Sequence, residues 1–266
     1  MRMGLISPDP GHPLLAATAA LLSPRHTVLV LDPAAGAAGA RGTTPDVCLL
    51  KARTPAALEL ARELEGRGSV VLNSAGATER CQDRITMAES ARAAGLPFAA
   101  TRAFDTLAEL ASSAGGRPDR PLVVKSRRSR KHDLVARVDG SDGLRALAAT
   151  WGREPVVVQD FAPNNGWDHK LWVVGEQVFA ALRRSELAPG AEEPATNRDR
   201  LPPEWVESAL RVGEVFGLKV YGVDVIETVD GTPLIVDVNA FPGIRGQAGA
   251  PRALADLVLR RAGSAR

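Results

Sequence analysis

Apolar runs of strand length alternate with amphipathic stretches from the first residue to about residue 74. Residues 3–7, 27–31, 46–50 and 69–72 are the apolar runs, and residues 14–22 and 55–64 between them carry helical spacing. Pro8, Asp9 and Pro10 end the first run, and Pro24 stops the first helix. Strands alternating with helices imply a doubly wound, parallel α/β sheet, so residues 1–74 are expected to form an N-terminal α/β lobe. Residues 73–80 and 83–94 read as helices, the second closed by Gly95 with Pro97 beyond it. A helix over 105–112, capped by Asp105, precedes a linker at 115–120. Then come a strand (121–125), a basic loop (127–132), a returning strand (134–138), a helix (141–150) and a third strand (155–159). Residues 75–160 therefore read as a small central α+β lobe. Residues 161–266 hold two hairpins, a loop and two helices (204–216 and 252–262), which makes a C-terminal antiparallel-sheet lobe.

The sharpest pattern lies in residues 221–246, YGVDVIETVDGTPLIVDVNAFPGIRG. They read as a β-hairpin around Asp230-Gly231, the favoured two-residue type I′ turn. That turn sets a register in which Val229 faces Thr232, Ile226 faces Ile235, Asp224 faces Asp237 and Gly222 faces Asn239. With period two, Asp224, Asp237 and Asn239 share one face, and Val223, Val225, Val236 and Val238 form an apolar one. Directly opposed residues stand about 5 Å apart at Cβ. Two carboxylates that close repel, so a shared proton, a cation or a metal offsets them unless the face is simply solvated. Two carboxylates and an amide oxygen are a hard, all-oxygen set suited to Mg²⁺ held together with substrate phosphates. A second hairpin spans 168–184, with Gly175-Glu176 fitting a type II′ turn. It sets Trp172 opposite Phe179, Lys170 opposite Ala181 and Asp168 opposite Arg183. Charges beside two rings suit a nucleotide; the plainer reading is a cross-strand salt bridge.

Composition narrows the classes. The 266 residues are 45% hydrophobic and 24% charged, as in a globular protein. A net charge of +2 lacks the basic excess of a general nucleic-acid binder. Cys48 and Cys81 have neither metal spacing nor a disulfide framework, which points to a reducing, cytoplasmic setting. The apolar run 14–22 is too short to span a membrane and poorly built as a signal peptide. Neither a nucleic acid nor a membrane is expected as a partner. The first strand is not followed by G-x-G-x-x-G, and the glycine-rich stretch 34–42 lacks a P-loop Lys-Ser/Thr. Any anion binding is therefore local.

One such place is the loop Arg127-Arg-Ser-Arg-Lys-His132, beside Lys125 at the end of its strand. A run of this density repels itself unless solvated or bound to an anion. It reads either as a surface loop or as a flap over polyphosphate, with Lys125 on the phosphates as a point charge. In Asn239-Ala-Phe-Pro-Gly-Ile-Arg-Gly246, Gly243 and Gly246 let backbone amides approach an oxyanion, or simply make a turn.

Taken in order, the motifs resemble the ATP-grasp superfamily. They are a strand-end lysine, Gln159-Asp-Phe161, Gly166-Trp-Asp-His-Lys170, Arg183-Arg-Ser185, Gly222-Val-Asp224 and Asp237-Val-Asn239 with Pro242-Gly243. The flavour is that of RimK-like and LysX-like carboxylate–amine ligases. The resemblance implies an ATP-grasp architecture with ATP between the central and C-terminal lobes. It places Lys125 on ATP phosphates, Gln159, Asp160 and Phe161 at a hinge whose backbone bonds adenine, Asp168 on ribose and Asn197 near the phosphates. Asp224, Asp237 and Asn239 would hold Mg²⁺, with Mn²⁺ as a substitute. Arg183 would stabilise an acyl-phosphate intermediate beside Lys170, in a ligase acting on a small amino-acid or peptide-like substrate. Such ligases carry a glycine-rich flap after the lysine; here the flap is Arg- and Lys-rich and glycine-free. ATP-grasp inositol polyphosphate kinases resemble the chain at Asp83-Arg84 with Met87, Lys125-Ser-Arg127, His132-Asp-Leu134, Lys170 and Asn239-Ala-Phe-Pro-Gly243. That second resemblance implies that Arg84 touches ATP and that His132 and Lys170 touch a phosphorylated substrate. Arg128, Arg130, His132, Gly243 and Arg245 are the candidate substrate contacts. The alternatives to a ligase are a kinase for a polyanionic alcohol and a non-catalytic nucleotide-binding protein.

Overall fold

The computed structural model describes residues 1–35, 44–113, 120–188, 195–198 and 200–264. Most of the stretch 34–42 and of the linker 115–120 lies outside them. The N-terminal elements are β1 (Arg2–Ile6), α1 (Pro13–Leu22), β2 (Thr27–Leu31), β3 (Val47–Leu50), α2 (Pro55–Gly66) and β4 (Val70–Leu72). They form a parallel sheet in the order β2-β1-β3-β4. Every residue of β3 is buried, as befits a continuous apolar run covered on both faces. His12 caps α1 by accepting the Leu14 N–H on Nδ1 at 3.3 Å, and Pro13 presets the first turn.

Helices α3 (Ala75–Arg80) and α4 (Arg84–Ala93) precede the central sheet. That sheet is built from β5 (Thr101–Phe104), β6 (Leu122–Ser126), β7 (Val135–Val138) and β8 (Val156–Asp160). It is antiparallel, in the order β5-β8-β6-β7, with α5 (Leu107–Ser112) and α6 (Ser141–Trp151) packed on it. Strand β5 is absent from the expected set. Its four residues TRAF show no apolar alternation, and only pairing with β8 makes them a strand. The cap of α5 is Thr106 rather than Asp105: Thr106 Oγ1 accepts the Glu109 N–H at 3.0 Å.

The C-terminal sheet comprises β9 (Asn164–Val174), β10 (Gln177–Arg184), β11 (Thr196–Asn197), β12 (Val220–Thr228) and β13 (Pro233–Ala240). Its order is β11-β10-β9-β12-β13, all antiparallel. Helices α7 (Pro203–Phe216) and α8 (Ala250–Ser264) complete the lobe. Ala77, Cys81, Met87, Ala91 and Leu96 pack into one core with Leu171, Trp205, Phe216 and Tyr221. Helices α3 and α4 thus belong by packing to the C-terminal sheet, although the chain runs from them into the central one. Asn73 ties the N-terminal lobe to the same sheet. Its side chain accepts the Lys219 and Val220 N–H groups at 2.7 and 2.9 Å and donates to the Val220 carbonyl at 2.6 Å.

The hairpin β9–β10 has the expected register, with Gly175 at φ +67° opening its turn. The hairpin β12–β13 keeps its register at the acids and loses it at the tip. Thr228 N–H donates to the Thr232 carbonyl at 3.1 Å, and Gly231 N–H to the Thr228 carbonyl at 2.8 Å. Val229, Asp230 and Gly231 therefore form a three-residue loop with Gly231 at φ +80°, not a two-residue turn. The Asp230 carboxylate accepts from the Thr228 hydroxyl and the Thr232 N–H, which stabilises the wider loop. Ile226 consequently faces Leu234 instead of Ile235. A bulge next to Asp224 absorbs the slip, because Val236 is an extra residue on β13. Asp224 still faces Asp237, and Gly222 still faces Asn239. The apolar face changes by one residue: Ile235 is buried beside Val223, Val225 and Val238, while Val236 turns to the other side.

Gly213 on α7 lies against Tyr221, whose hydroxyl donates to the Ala209 carbonyl at 2.8 Å. A Cβ at Gly213 would overlap the Tyr221 ring and hydroxyl. Gly213→Ala is expected to destabilise the fold by about 1–3 kcal/mol, the usual cost of overpacking. Urea unfolding measures it, and Tyr221→Phe in the same chain should recover part of the loss.

Candidate active site

A cleft of about 530 Å³ lies between the central sheet and the C-terminal sheet. It falls in the size range of small-molecule sites. One end is apolar, lined by Val123 of β6, Val135 of β7, Phe161, Ile226, Leu234 and Val236. The Arg137 guanidinium stacks over the Phe161 ring at 4.1 Å. Gln159 is buried and donates through Nε2 to Thr101 Oγ1 at 3.0 Å. Asp160 lines the mouth, 67% exposed, and pairs with Arg102 at 3.2 Å. The hinge differs from expectation at one donor. The Phe161 N–H is taken by the Pro121 carbonyl at 2.9 Å, because the chain still follows the β6 edge there.

The polar end gathers charges from six elements, α4, β6, β9, β10, β12 and β13. Asp237 of β13 accepts from Arg84 Nη2 at 3.0 Å; the other guanidinium nitrogen, Nη1, donates to Asp133 at 2.6 Å and to the Ser126 carbonyl at 2.8 Å. Lys125 is 5% exposed, and its ammonium donates at 2.7 Å to the carbonyl of Val236, the bulge residue. Asp224 of β12 pairs with Lys170 of β9 at 2.8 Å. Lys170 also stands 3.7 Å from Asp168, which is 3.8 Å from Arg183. Burial alone would push the Asp237 carboxyl up; Arg84 and Lys125 outweigh it and hold the group below the ordinary carboxylate range. Burial lowers Lys125, which Asp237 only partly offsets. At Lys170 the balance reverses: burial lowers it, but Asp224 and Asp168 together raise it. Arg84 Nε and Arg183 Nε are buried without a hydrogen-bond partner.

The basic loop is docked rather than free. Arg84 N–H donates to the Arg127 carbonyl and Ser129 N–H to the Gln82 carbonyl, both at 2.9 Å. Arg127 pairs with Asp83 at 2.8 Å, and Arg130 with Glu154 at 2.6 Å. Ser129 and Arg130 line the cleft; Arg128 and His132 are exposed outside its lining. Asn197 also stands outside it, donating to the Gly246 carbonyl at 2.8 Å and accepting from Gln247 at 2.8 Å. Gly243 and Arg245 lie against His12 of the N-terminal lobe instead. Trp172 and Phe179 share the strand face of Lys170 but pack in the core beneath α8, so they do not frame the cleft. Charged cleft residues that sequence reading missed include Arg53, Asp133 and Arg137. The β6–β7 pairing of Val123 with Arg137 could have shown Arg137. Arg53 has no local signal.

Among the described residues, no cluster of three His, Cys, Asp or Glu side chains forms a metal site. The oxygen set of the β12–β13 hairpin is two carboxylates and the Asn239 amide, all lining the cleft.

Two β-sheet lobes closing on a charged cleft, behind a parallel α/β lobe, define the ATP-grasp fold. A RimK domain ATP-grasp protein from Sphaerobacter thermophilus superposes with a TM-score of 0.76 at 25% identity, covering 97% of this chain and 100% of that one. D-alanine–D-alanine ligase from Bacillus anthracis, complexed with ATP, gives 0.75 at 16% identity, over 99% and 98% of the two chains. The ATP-grasp ligase PsnB, complexed with minimal precursor, Mg and ADP, gives 0.72 at 18% identity, over 98% and 97%. Residues 110–251, more than half of the chain, match the RimK-like ATP-grasp domain, and the chain belongs to that family. Among curated proteins, the probable alpha-L-glutamate ligase of Azotobacter vinelandii is 29% identical over 70% of this chain. The probable alpha-L-glutamate ligase 1 of Shewanella amazonensis is 30% identical over 71%. The matched segments span 64% and 65% of the lengths of those relatives.

Arg84→Met leaves the buried end of the cleft without its cation and two half-buried carboxylates, Asp133 and Asp237, short of a partner, and is expected to cost about 3 kcal/mol at neutral pH. The Asp237 carboxyl is depressed in the fold, so its contribution is complete above about pH 4 and fades as pH falls through its folded value. The stability gap between wild type and variant should therefore narrow below about pH 4, as read by urea midpoints across pH.

Proposed function

We propose that the chain is an ATP- and Mg²⁺-dependent carboxylate–amine ligase that works through an acyl phosphate on a small amino-acid or peptide-like substrate. The observation that carries this is the opposed Asp224–Asp237 pair beside buried Arg84 and Lys125 and half-buried Lys170, in a chain of the RimK-like family. In this reading ATP lies between the central lobe, 75–160, and the C-terminal lobe, 161–266. The base enters the apolar end between Phe161, Val123 and Leu234, and Asp168 meets the ribose. Arg84 and Lys125 meet the phosphates. Arg84 and Arg183 each have a buried N–H to satisfy, which supports an anion as their partner. Asp224, Asp237 and Asn239 would hold Mg²⁺, or Mn²⁺ in its place; hard oxygens on one face fit it. Bound there, the ion supplies charge neutralisation on the polyphosphate. Lys170 and Arg84 then exchange a carboxylate partner for a phosphate one. Arg183 neutralises the negative charge that develops as the substrate carboxylate attacks the γ-phosphorus, the bond to the β-phosphate oxygen breaks and ADP leaves, giving the acyl phosphate. The amine attacks the acyl carbon next, and inorganic phosphate leaves. The protein's contribution is positioning and charge.

The kinase reading rests on the glycine-free basic loop. The structure docks that loop through Asp83, Gln82 and Glu154, and two of its substrate candidates, Arg128 and His132, stand outside the cleft.

A ligase releases ADP and phosphate only with carboxylate and amine together, and ¹⁸O from the labelled carboxylate appears in the phosphate. A phosphoester product would overturn the proposal, as would ADP binding without any turnover across amino acids and peptides. Asp237→Asn is expected to lower turnover by about 100-fold or more with the fold retained, measured by ADP release.

A further inference from the structure

The two acids of the β12–β13 hairpin already hold partners. Both oxygens of Asp237 are engaged: Oδ2 accepts from Arg84 Nη2 at 3.0 Å, and Oδ1 accepts the Val238 N–H at 3.0 Å. Asp224 Oδ2 lies 2.8 Å from the Lys170 ammonium. Around these contacts the charges balance. Arg84, Lys125 and Lys170 stand against Asp133, Asp224 and Asp237, tied by the pairs Arg84–Asp133, Arg84–Asp237 and Lys170–Asp224. Lys125 rests on the Val236 carbonyl between them. The paired side chains are between 6% and 21% exposed, so salt and water screen them little. A divalent ion entering alone would add two positive charges to this balanced set, close against Arg84 and Lys170.

Both cations can let go. Arg84 is anchored through Nη1, which donates to Asp133 at 2.6 Å and to the Ser126 carbonyl at 2.8 Å. Releasing Asp237 costs it only the Nη2 contact, and its buried Nε has no hydrogen-bond partner. Lys170 has a second carboxylate within reach, Asp168 at 3.7 Å. Its flexible four-carbon stem lets the ammonium pivot away from Asp224. A polyphosphate offers both cations charged acceptor oxygens, and so frees the two carboxylates.

We propose that Arg84 and Lys170 are resident counter-ions of the Asp224–Asp237 pair, which keep it closed to a free divalent cation until a polyphosphate draws them off. The divalent cation and the di- or triphosphate enter as a unit, or the phosphate enters first. When the phosphates leave, the two cations return to the carboxylates and expel the ion, so no metal is retained between turnovers. The charge balance stands on its own geometry; naming the acids as metal ligands rests on the ligase reading.

Free Mn²⁺, measured by electron paramagnetic resonance, reads this without turnover. The full chain with Mn²⁺ alone should show no saturable site below about 1 mM, and ADP should bring Mn²⁺ onto the protein beyond the amount ADP holds by itself. Lys170→Gln removes one counter-charge and should bind Mn²⁺ without nucleotide at least about tenfold more tightly than wild type. Lys170→Arg keeps the charge and should stay closed. Asp224→Asn added to Lys170→Gln should abolish the gained binding. A wild type that takes up Mn²⁺ equally with and without ADP overturns the proposal, as does a folded Lys170→Gln chain with no gain. Were that variant not to fold, the two wild-type titrations still decide. Mn²⁺ uptake that requires ADP, in a chain that never turns over a carboxylate and an amine, would sustain the counter-ion role and overturn the ligase reading. Ligase turnover with Mn²⁺ binding indifferent to nucleotide would do the reverse.

Discussion

Asp224 and Asp237 stand directly opposite each other across two hydrogen-bonded strands, and the rest of the site follows from that opposition. With Cβ atoms about 5 Å apart, two such charges repel by about 3 kcal/mol at an effective dielectric near 20. No residue of the hairpin offsets this. The balancing cations arrive from elsewhere: Arg84 from α4, Lys125 from β6 and Lys170 from β9. Each is itself costly to bury, so carboxylates and cations depend on one another. This mutual dependence pins the central sheet and α4 to the C-terminal sheet, and it leaves a cleft between them whose walls are charged before any ligand enters.

The bulge at Val236 makes the arrangement geometrically possible. A regular hairpin from the three-residue loop would have carried a one-residue offset through the acids and turned Asp237 away from Asp224. The extra residue cancels that offset just before the acids. It also frees a carbonyl, which accepts the buried Lys125 ammonium. One irregularity thus restores the acid pair and supplies an oxygen for the cation that stabilises it.

Much of the fold was legible in the chain. The strand and helix order of the N-terminal lobe, the register of β9–β10 and the opposition of the two acids all follow from local periodicity and turn chemistry. Where reading failed, the cause was non-local or a competing local bond. Strand β5 has no pattern of its own and exists by pairing with β8. The hairpin tip widened because Asp230 bonds Thr228 and Thr232. Trp172 and Phe179 were correctly placed on a face, but that face continues past the cleft into a core.

By itself the sequence determined which residues share a strand face, where charge must be offset, and that the acids and Asn239 form one oxygen-bearing surface. These are consequences of period two and of short hydrogen bonds, which reach only a few residues along the chain. Tertiary structure alone decided which cations meet those acids, that the basic loop is docked, and that Lys51 and His12 of the N-terminal lobe meet the turn at residues 241–246. Those residues are separated by most of the chain, and the contacts between them depend on how three sheets pack, which no local pattern encodes.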